Sequence, residues 1–278
     1  ENVFIGNNAA AAMTTGQQNI AIGDNSLVAQ TTANGNVAIG DNAMAANTSG
    51  DSNVGVGLAA LSANTSGGAN TGIGANALDA NTTASNNTGV GYLALSANTT
   101  AGENTAVGYN SLGANTTGAS NTAVGSASLA AVTTGSQNTS VGKNSSDAIT
   151  TGANNTAIGD GSLSATTTAD DNTALGTQTL KLNTTGGQNV AVGRGALYAN
   201  TTASNETGVG FNAMTANTTG NANTGIGAYA LDANTTAGNN TGLGVLALTA
   251  ATTGGDNTGI GKNALAGNTT GIQNVAVG

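Results

Sequence analysis

The sequence predicts an all-β fold: a parallel β-solenoid (β-roll) with one 17-residue repeat per coil and about 16 coils. Three observations support this. The 17-residue period is uninterrupted, β-branched residues alternate in short runs, and turn-forming Asn, Thr and Gly separate these runs. We expect residues 1–278 to form a single continuous array. Because neither end shows the atypical capping repeat that solenoids need, we also expect a fragment of a longer fibre.

The period is marked by a glycine that recurs every 17 residues from Gly6 to Gly278. The copy at 104–120 defines the numbering of the repeat, with Asn104 at position 1 and Ser120 at position 17. Asn at position 1, Val, Ile or Leu at 4, Gly at 5, Leu at 9 and Thr at 13 hardly vary between copies. Positions 6, 7, 10, 16 and 17 vary. Columns that vary freely within one chain are expected to face water.

The first half of the repeat predicts a short strand at positions 2–4, as in Thr105, Ala106 and Val107. Residues alternate across a strand, so positions 2 and 4 share one face and position 3 takes the other. The glycine at position 5, which no copy replaces, indicates a positive φ or a very close backbone approach.

The second half predicts another short strand at positions 8–11, Ala77-Leu78-Asp79-Ala80 in one copy, followed by an Asn-Thr-Thr-Gly turn. We expect Val or Ile of position 4 and Leu of position 9 to stack as two apolar ladders that hold the coils together. The Asn column is predicted to form an amide ladder at a corner. Glu206 interrupts that column once, and is therefore a predicted weak point.

The marginal stability of a single thin coil predicts association between chains. Two or three buried apolar side chains per coil, at about 1.5–3 kcal/mol each, do not by themselves offset the cost of ordering seventeen residues at about 1–2 kcal/mol each. One thin coil is therefore marginal alone, even with its backbone ladder. We therefore expect either cooperation among many coils or side-by-side packing of several chains, and we favour a trimer. The small residues at positions 3 and 11 would allow chains to approach closely.

The composition and the motifs of the chain argue against several classes of function. The net charge of −9 argues against nucleic-acid binding, and no apolar run is long enough for membrane insertion. The chain has no His and no Cys to activate or act as a nucleophile, so we expect no enzyme activity, no catalytic residue and no cofactor. The Gly55-Val56-Gly57 motif lacks the strand–helix context of a dinucleotide site and predicts a strand end.

Acidic residues lie in the predicted turns. We expect the Asp170-Asp171 pair to form a solvated corner rather than an acid–base or metal site. Asp24, Asp41 and Asp160 follow the invariant glycine, where weak Ca²⁺ binding is the alternative. Most copies lack the acid and the repeat pattern of calcium β-rolls is absent, so we predict no metal site.

Two polar patterns have alternative interpretations. Stacked Thr at positions 13 and 14 resembles the hydroxyl arrays of ice-binding solenoids. However, adjacent residues point opposite ways in a strand, so we predict that these Thr stabilise a turn and its ladder. The Asn-x-Thr pattern at position 12 matches the N-glycosylation signal, but the composition of the repeat alone explains it.

The Asn-Thr-Ala-Val-Gly and Ala-Leu-x-Ala-Asn-Thr-Thr-Gly patterns resemble repeats of phage-type tail fibres and large bacterial surface proteins. The first half, as in Asn36-Val37-Ala38-Ile39-Gly40, also resembles the β-roll of YadA-type heads in trimeric autotransporter adhesins, whose repeats are shorter. This resemblance implies a homotrimer at the cell surface, outside the cell or on a virion. No functional residue is transferred by it.

The leading functional hypothesis is therefore a structural shaft or stalk of an extracellular or virion fibre or adhesin, which works by length and rigidity. Its expected partners are further copies of the chain and host or surface glycans. The alternative is a ligand-binding solenoid that binds ice or glycans through a flat, repeated Thr/Asn face.

Overall fold

The computed structural model describes all 278 residues as short strands and turns, with no helix. The chain divides into two compact units, Glu1–Asn138 (unit 1) and Thr139–Gly278 (unit 2). Within each unit every 17-residue repeat forms one coil, so the predicted β-solenoid is confirmed.

Each strand has three residues and occupies positions 2–4 of its repeat. Unit 1 contains β1 (Val3–Ile5), β2 (Ile20–Ile22), β3 (Val37–Ile39), β4 (Val54–Val56), β5 (Thr71–Ile73), β6 (Thr88–Val90), β7 (Thr105–Val107) and β8 (Thr122–Val124). Unit 2 contains β9 (Thr139–Val141), β10 (Thr156–Ile158), β11 (Thr173–Leu175), β12 (Val190–Val192), β13 (Thr207–Val209), β14 (Thr224–Ile226), β15 (Thr241–Leu243), β16 (Thr258–Ile260) and β17 (Val275–Val277).

Consecutive strands within a unit are parallel and pair equivalent residues, for example Thr105 with Thr122 and Val107 with Val124. Backbone hydrogen bonds join coils outside the strands as well. Thr116 N–H donates to Thr133 O at 3.0 Å. Equivalent side chains therefore stack above one another in each unit, as the period predicted.

The position-5 glycines have φ between 118° and 149°, a region that residues with a side chain rarely adopt. They also touch the next coil: a Cβ on Gly108 would lie 2.5 Å from Gly125 O. Both predicted reasons for an irreplaceable glycine are confirmed, because φ is positive and the backbones approach closely.

The predicted second strand at positions 8–11 is wrong. Residues 77–80 form turns, and Leu78 has φ 55°. The whole position-9 column lies in the left-handed region, with φ between 50° and 55°. This conformation costs a non-glycine residue roughly 1–2 kcal/mol. It turns the leucine into the coil interior, where complete burial contributes about 1.5–3 kcal/mol. Alternating hydrophobicity alone does not distinguish such a turn from a strand.

The interior is thin and is built from Leu or Met at position 9, Ala, Ser or Thr at position 8 and a small residue at position 3. Ala106 is completely buried, and a Cβ on Gly89 would lie 3.3 Å from Leu78 Cγ. Position 3 is therefore small because the leucine side chain fills the space beside it. Two expectations are therefore wrong. Position 3 is buried inside the coil and does not mediate contact between chains, and the position-4 ladder lies on the outer face rather than in the core.

Candidate functional site

The outer face of each sheet is formed by positions 2 and 4. Val107 is 37% exposed, Ile158 38% and Leu175 45%, although the residue between positions 2 and 4 is buried. Positions 2–4 contain no charged residue in any of the seventeen strands. Each unit therefore presents a flat, uncharged array with coils spaced about 4.8 Å apart.

A buried ladder of asparagines runs through position 1, as predicted. Asn121 N–H donates to Asn104 Oδ1 at 2.9 Å, and Asn104 Nδ2 donates to Gly118 O at 2.9 Å. Both asparagines are completely buried. Each side chain thus satisfies backbone groups that water cannot reach, which explains why the column hardly varies.

A second ladder runs through position 12, where Asn115 Nδ2 donates to Asn98 Oδ1 at 3.0 Å. This ladder stops where the next copy lacks Asn. Asn115 Oδ1 and Asn234 Oδ1 have no hydrogen-bond partner, and the following copies carry Val132 and Ala251. The buried position-12 side chains are hydrogen-bonded inside the coil, so the Asn-x-Thr pattern marks buried amides.

Glu206 takes the place of one asparagine in the position-1 ladder and is completely buried. Its Oε1 accepts the Asn223 N–H at 3.2 Å, but Oε2 has no partner. Desolvation of the carboxylate is the main cause that raises the pKa of Glu206 to about 8; hydrogen bonds from Asn223 oppose the rise. The predicted weak point is thus a buried acid that is mostly protonated at neutral pH.

The Thr column at position 13 stabilises the turn, as predicted. Thr116 Oγ1 donates to Thr133 O at 3.0 Å, and the same bond recurs between Thr65 and Thr82. Position 14 is exposed, as at Thr117. Because both Asn ladders are buried, the flat Thr/Asn face expected for a ligand-binding solenoid does not exist in that form. The Thr that share a flat face are those of position 2.

The acidic residues singled out from the sequence lie at the surface. Asp170 and Asp171 are exposed, and Asp170 Oδ1 accepts the Ala153 N–H at 2.7 Å. Asp24, Asp41 and Asp160 are also exposed, and no group of three acids is close enough to hold a metal ion. Gly55 lies within β4, and Gly57 follows that strand directly.

Cations and aromatic rings cluster on unit 2, along the corner formed by positions 6, 7 and 10. Lys181 Nζ lies 5.8 Å from the centre of the Tyr198 ring, and Arg194 Cζ lies 5.8 Å from that of Phe211. The Phe211 and Tyr229 rings meet edge to face at 5.4 Å. The members of this cluster come from different copies of the repeat, so the sequence pattern does not reveal that they meet.

Comparison with known protein families and with curated proteins found no match. The structure also contains no helix that is long and apolar enough to cross a membrane. The fold and surface of the chain therefore provide the basis for the functional proposal.

Proposed function

We propose that the chain is a structural segment of a fibre or adhesin outside the cell or on a virion, where stacked coils supply length and rigidity. The observation that carries this proposal is the continuity of the ladders within each unit. Backbone, Asn and Thr hydrogen bonds join successive coils, as between Asn104 and Asn121 and between Thr116 and Thr133. Extension or bending of a unit would have to break many of these bonds together.

Copies of the chain associate through the outer sheet face, and the resemblance to trimeric adhesins implies three copies. The face is uncharged in a chain of net charge −9, so copies meet there with the least repulsion. A three-residue strand offers about 50 Å² per coil, so the eight strands of unit 1 carry about 400 Å² and the nine strands of unit 2 about 450 Å². Each of these areas is about half of one side of a standard protein interface.

Lysine on the outer face is expected to dissociate the oligomer. In the double variant Val107→Lys, Ile158→Lys, two charges enter the face, one per unit, and burying them unpaired would cost several kcal/mol. Analytical ultracentrifugation should show a trimer for the wild type and a monomer for this variant. Circular dichroism should be unchanged, because both side chains point outward.

The matched control places the same charges on the exposed position 14 of the same units, as Thr117→Lys, Thr168→Lys. This variant should remain a trimer. A wild type that is monomeric at every concentration would refute the association, and a face variant that stays trimeric would place the interface elsewhere.

Ice binding is the second candidate, and one observation favours it. Eleven of the seventeen strands carry Thr at position 2, beside Val, Ile or Leu at position 4, in a regular outward array. Thermal hysteresis of the purified chain distinguishes the two functions. A structural segment should show none, whereas an ice-binding face should show hysteresis that the Val107→Lys, Ile158→Lys variant loses.

A further inference from the structure

Unit 2 has a cavity of about 250 Å³ that opens on the corner of positions 6, 7 and 10. Three consecutive coils line it, through Gln178, Arg194, Gly195, Tyr198, Asn212 and Thr215. The volume of the cavity is slightly smaller than the range of about 300–1,000 Å³ that is typical of sites for drug-sized ligands. Its size therefore suits a single ring with its substituents.

Position 7 of the middle coil of the cavity is Gly195. Asn occupies position 7 in eight of the sixteen copies, including the neighbour Asn212. A Cβ added at Gly195 would point at Asn212 Oδ1. The glycine therefore lets the Asn212 amide lie directly against the backbone of this coil, in the wall of the cavity.

Two cations beside the cavity favour an anionic ligand. The chain has only four basic residues, and Lys181 and Arg194 lie in adjacent coils next to Tyr198 and Phe211. Arg194 lines the cavity, and a guanidinium can bind a carboxylate with two hydrogen bonds. Asp147 and Asp160 line a neighbouring pocket together with Lys181. The lining of the cavity itself contains Arg194 and no acidic residue.

The remaining lining suits a polyhydroxylated ring. Gln178 and Asn212 each offer an amide that donates and accepts hydrogen bonds, which matches adjacent hydroxyl groups. The half-buried Tyr198 ring supplies an apolar surface for the C–H groups of a sugar. A bare inorganic anion would use the cations but neither the amides nor the volume.

The geometry points to a binding site for one carboxylate-bearing sugar unit of an acidic saccharide, held by Arg194 through its carboxylate and by Gln178 and Asn212 through its hydroxyls. This site is independent of the structural role proposed above, since it uses the variable positions of unit 2 and none of the outer sheet face.

Calorimetric titration of the full chain tests the site with trigalacturonate, with neutral trigalactose and with triglutamate as a non-sugar polyanion. We expect trigalacturonate to bind at least about tenfold more tightly than either of the others. Arg194→Gln removes the charge, and Gly195→Asn displaces the Asn212 amide from its place in the cavity wall, using the residue that other copies carry at a similar φ. Each should weaken binding of trigalacturonate by at least about tenfold.

The matched control is Lys262→Gln, which removes one positive charge from position 6 of another coil and should leave the affinity unchanged. Arg194 is exposed, so Arg194→Gln should fold normally even if Gly195→Asn does not. Absence of trigalacturonate binding, equal affinity for trigalactose or triglutamate, or an equal loss in Lys262→Gln and Arg194→Gln would overturn the proposal.

Discussion

Glu206→Gln is expected to raise the free energy of unfolding by about 3 kcal/mol at pH 7. The pKa of Glu206 is about 8 in the folded chain against an ordinary value of 4.5, so at pH 7 folding must transfer a proton onto the carboxylate. Each pH unit between the unfolded pKa and pH 7 costs about 1.4 kcal/mol. Glutamine is neutral at every pH and does not incur this cost.

The pH dependence of the free energy of unfolding distinguishes a buried, protonated Glu206 most clearly. A raised folded pKa means that the contribution of Glu206 to stability is fully present below pH 4.5 and is lost as the pH rises to about 8. Denaturant unfolding at pH 4, 5.5, 7 and 8.5 should therefore show a growing gap between Glu206→Gln and the wild type. The difference between the two curves cancels the titration of Asp79 and Asp147, whose pKa values burial also raises.

Glu206→Asn supplies the companion measurement, because it restores the amide that every other copy carries at position 1. The free energy of unfolding of Glu206→Asn should follow the same pH dependence as that of Glu206→Gln. It should be at least as large, since the shorter side chain fits the ladder. Parallel pH curves for the wild type and both variants would show that Glu206 is not a buried, protonated acid.

Gly244→Ala is expected to lower the free energy of unfolding by at least about 3 kcal/mol. Gly244 has φ 137°, and strain of this kind in a residue with a side chain costs of order 1–3 kcal/mol. The new Cβ would also lie 2.5 Å from Gly261 O, in the backbone of the next coil, which cannot move without breaking its own ladder. Hydrogen exchange should show the largest loss of protection in β15 and β16.

The matched control is Gly267→Ala in the same unit. A Cβ there meets no atom within 4 Å, and other copies carry Ala at this position. Its stability should stay equal or rise by about 0.4–1 kcal/mol, because alanine restricts the unfolded chain. Equal destabilisation by the two substitutions would show that position 5 has no special backbone requirement.

The 17-residue period was sufficient to predict the coil, the register of pairing and the strand at positions 2–4. Alternation also placed Thr105 and Val107 on one face and Ala106 on the other, but it could not tell which face is inside. The width of the coil decides this: the Leu112 column fills the interior, and only a small residue fits opposite it. The left-handed φ of Leu112 could not be predicted from the sequence either, because leucine rarely adopts this conformation.

The cavity of unit 2 could not be predicted from the repeat for a different reason. Gln178, Arg194 and Asn212 come from three successive copies, and their meeting depends on which side chain each copy carries at the corner. The one available signal was Gly195, a glycine at position 7, where half of the copies carry Asn. Glu206, by contrast, could be identified from the sequence because it breaks an otherwise uniform column.

The stacking of one repeat on the next is tested most directly by distances between pairs of spin labels in unit 1. The chain has no Cys, so introduced pairs label uniquely, and position 14 is exposed. The pairs Ser49→Cys with Thr117→Cys, Ser49→Cys with Thr134→Cys, and Thr15→Cys with Thr134→Cys span four, five and seven repeats. Stacking of one repeat on the next predicts distances of about 19, 24 and 34 Å, a rise of about 4.8 Å per repeat. Distances that do not increase in proportion to the number of repeats would contradict it.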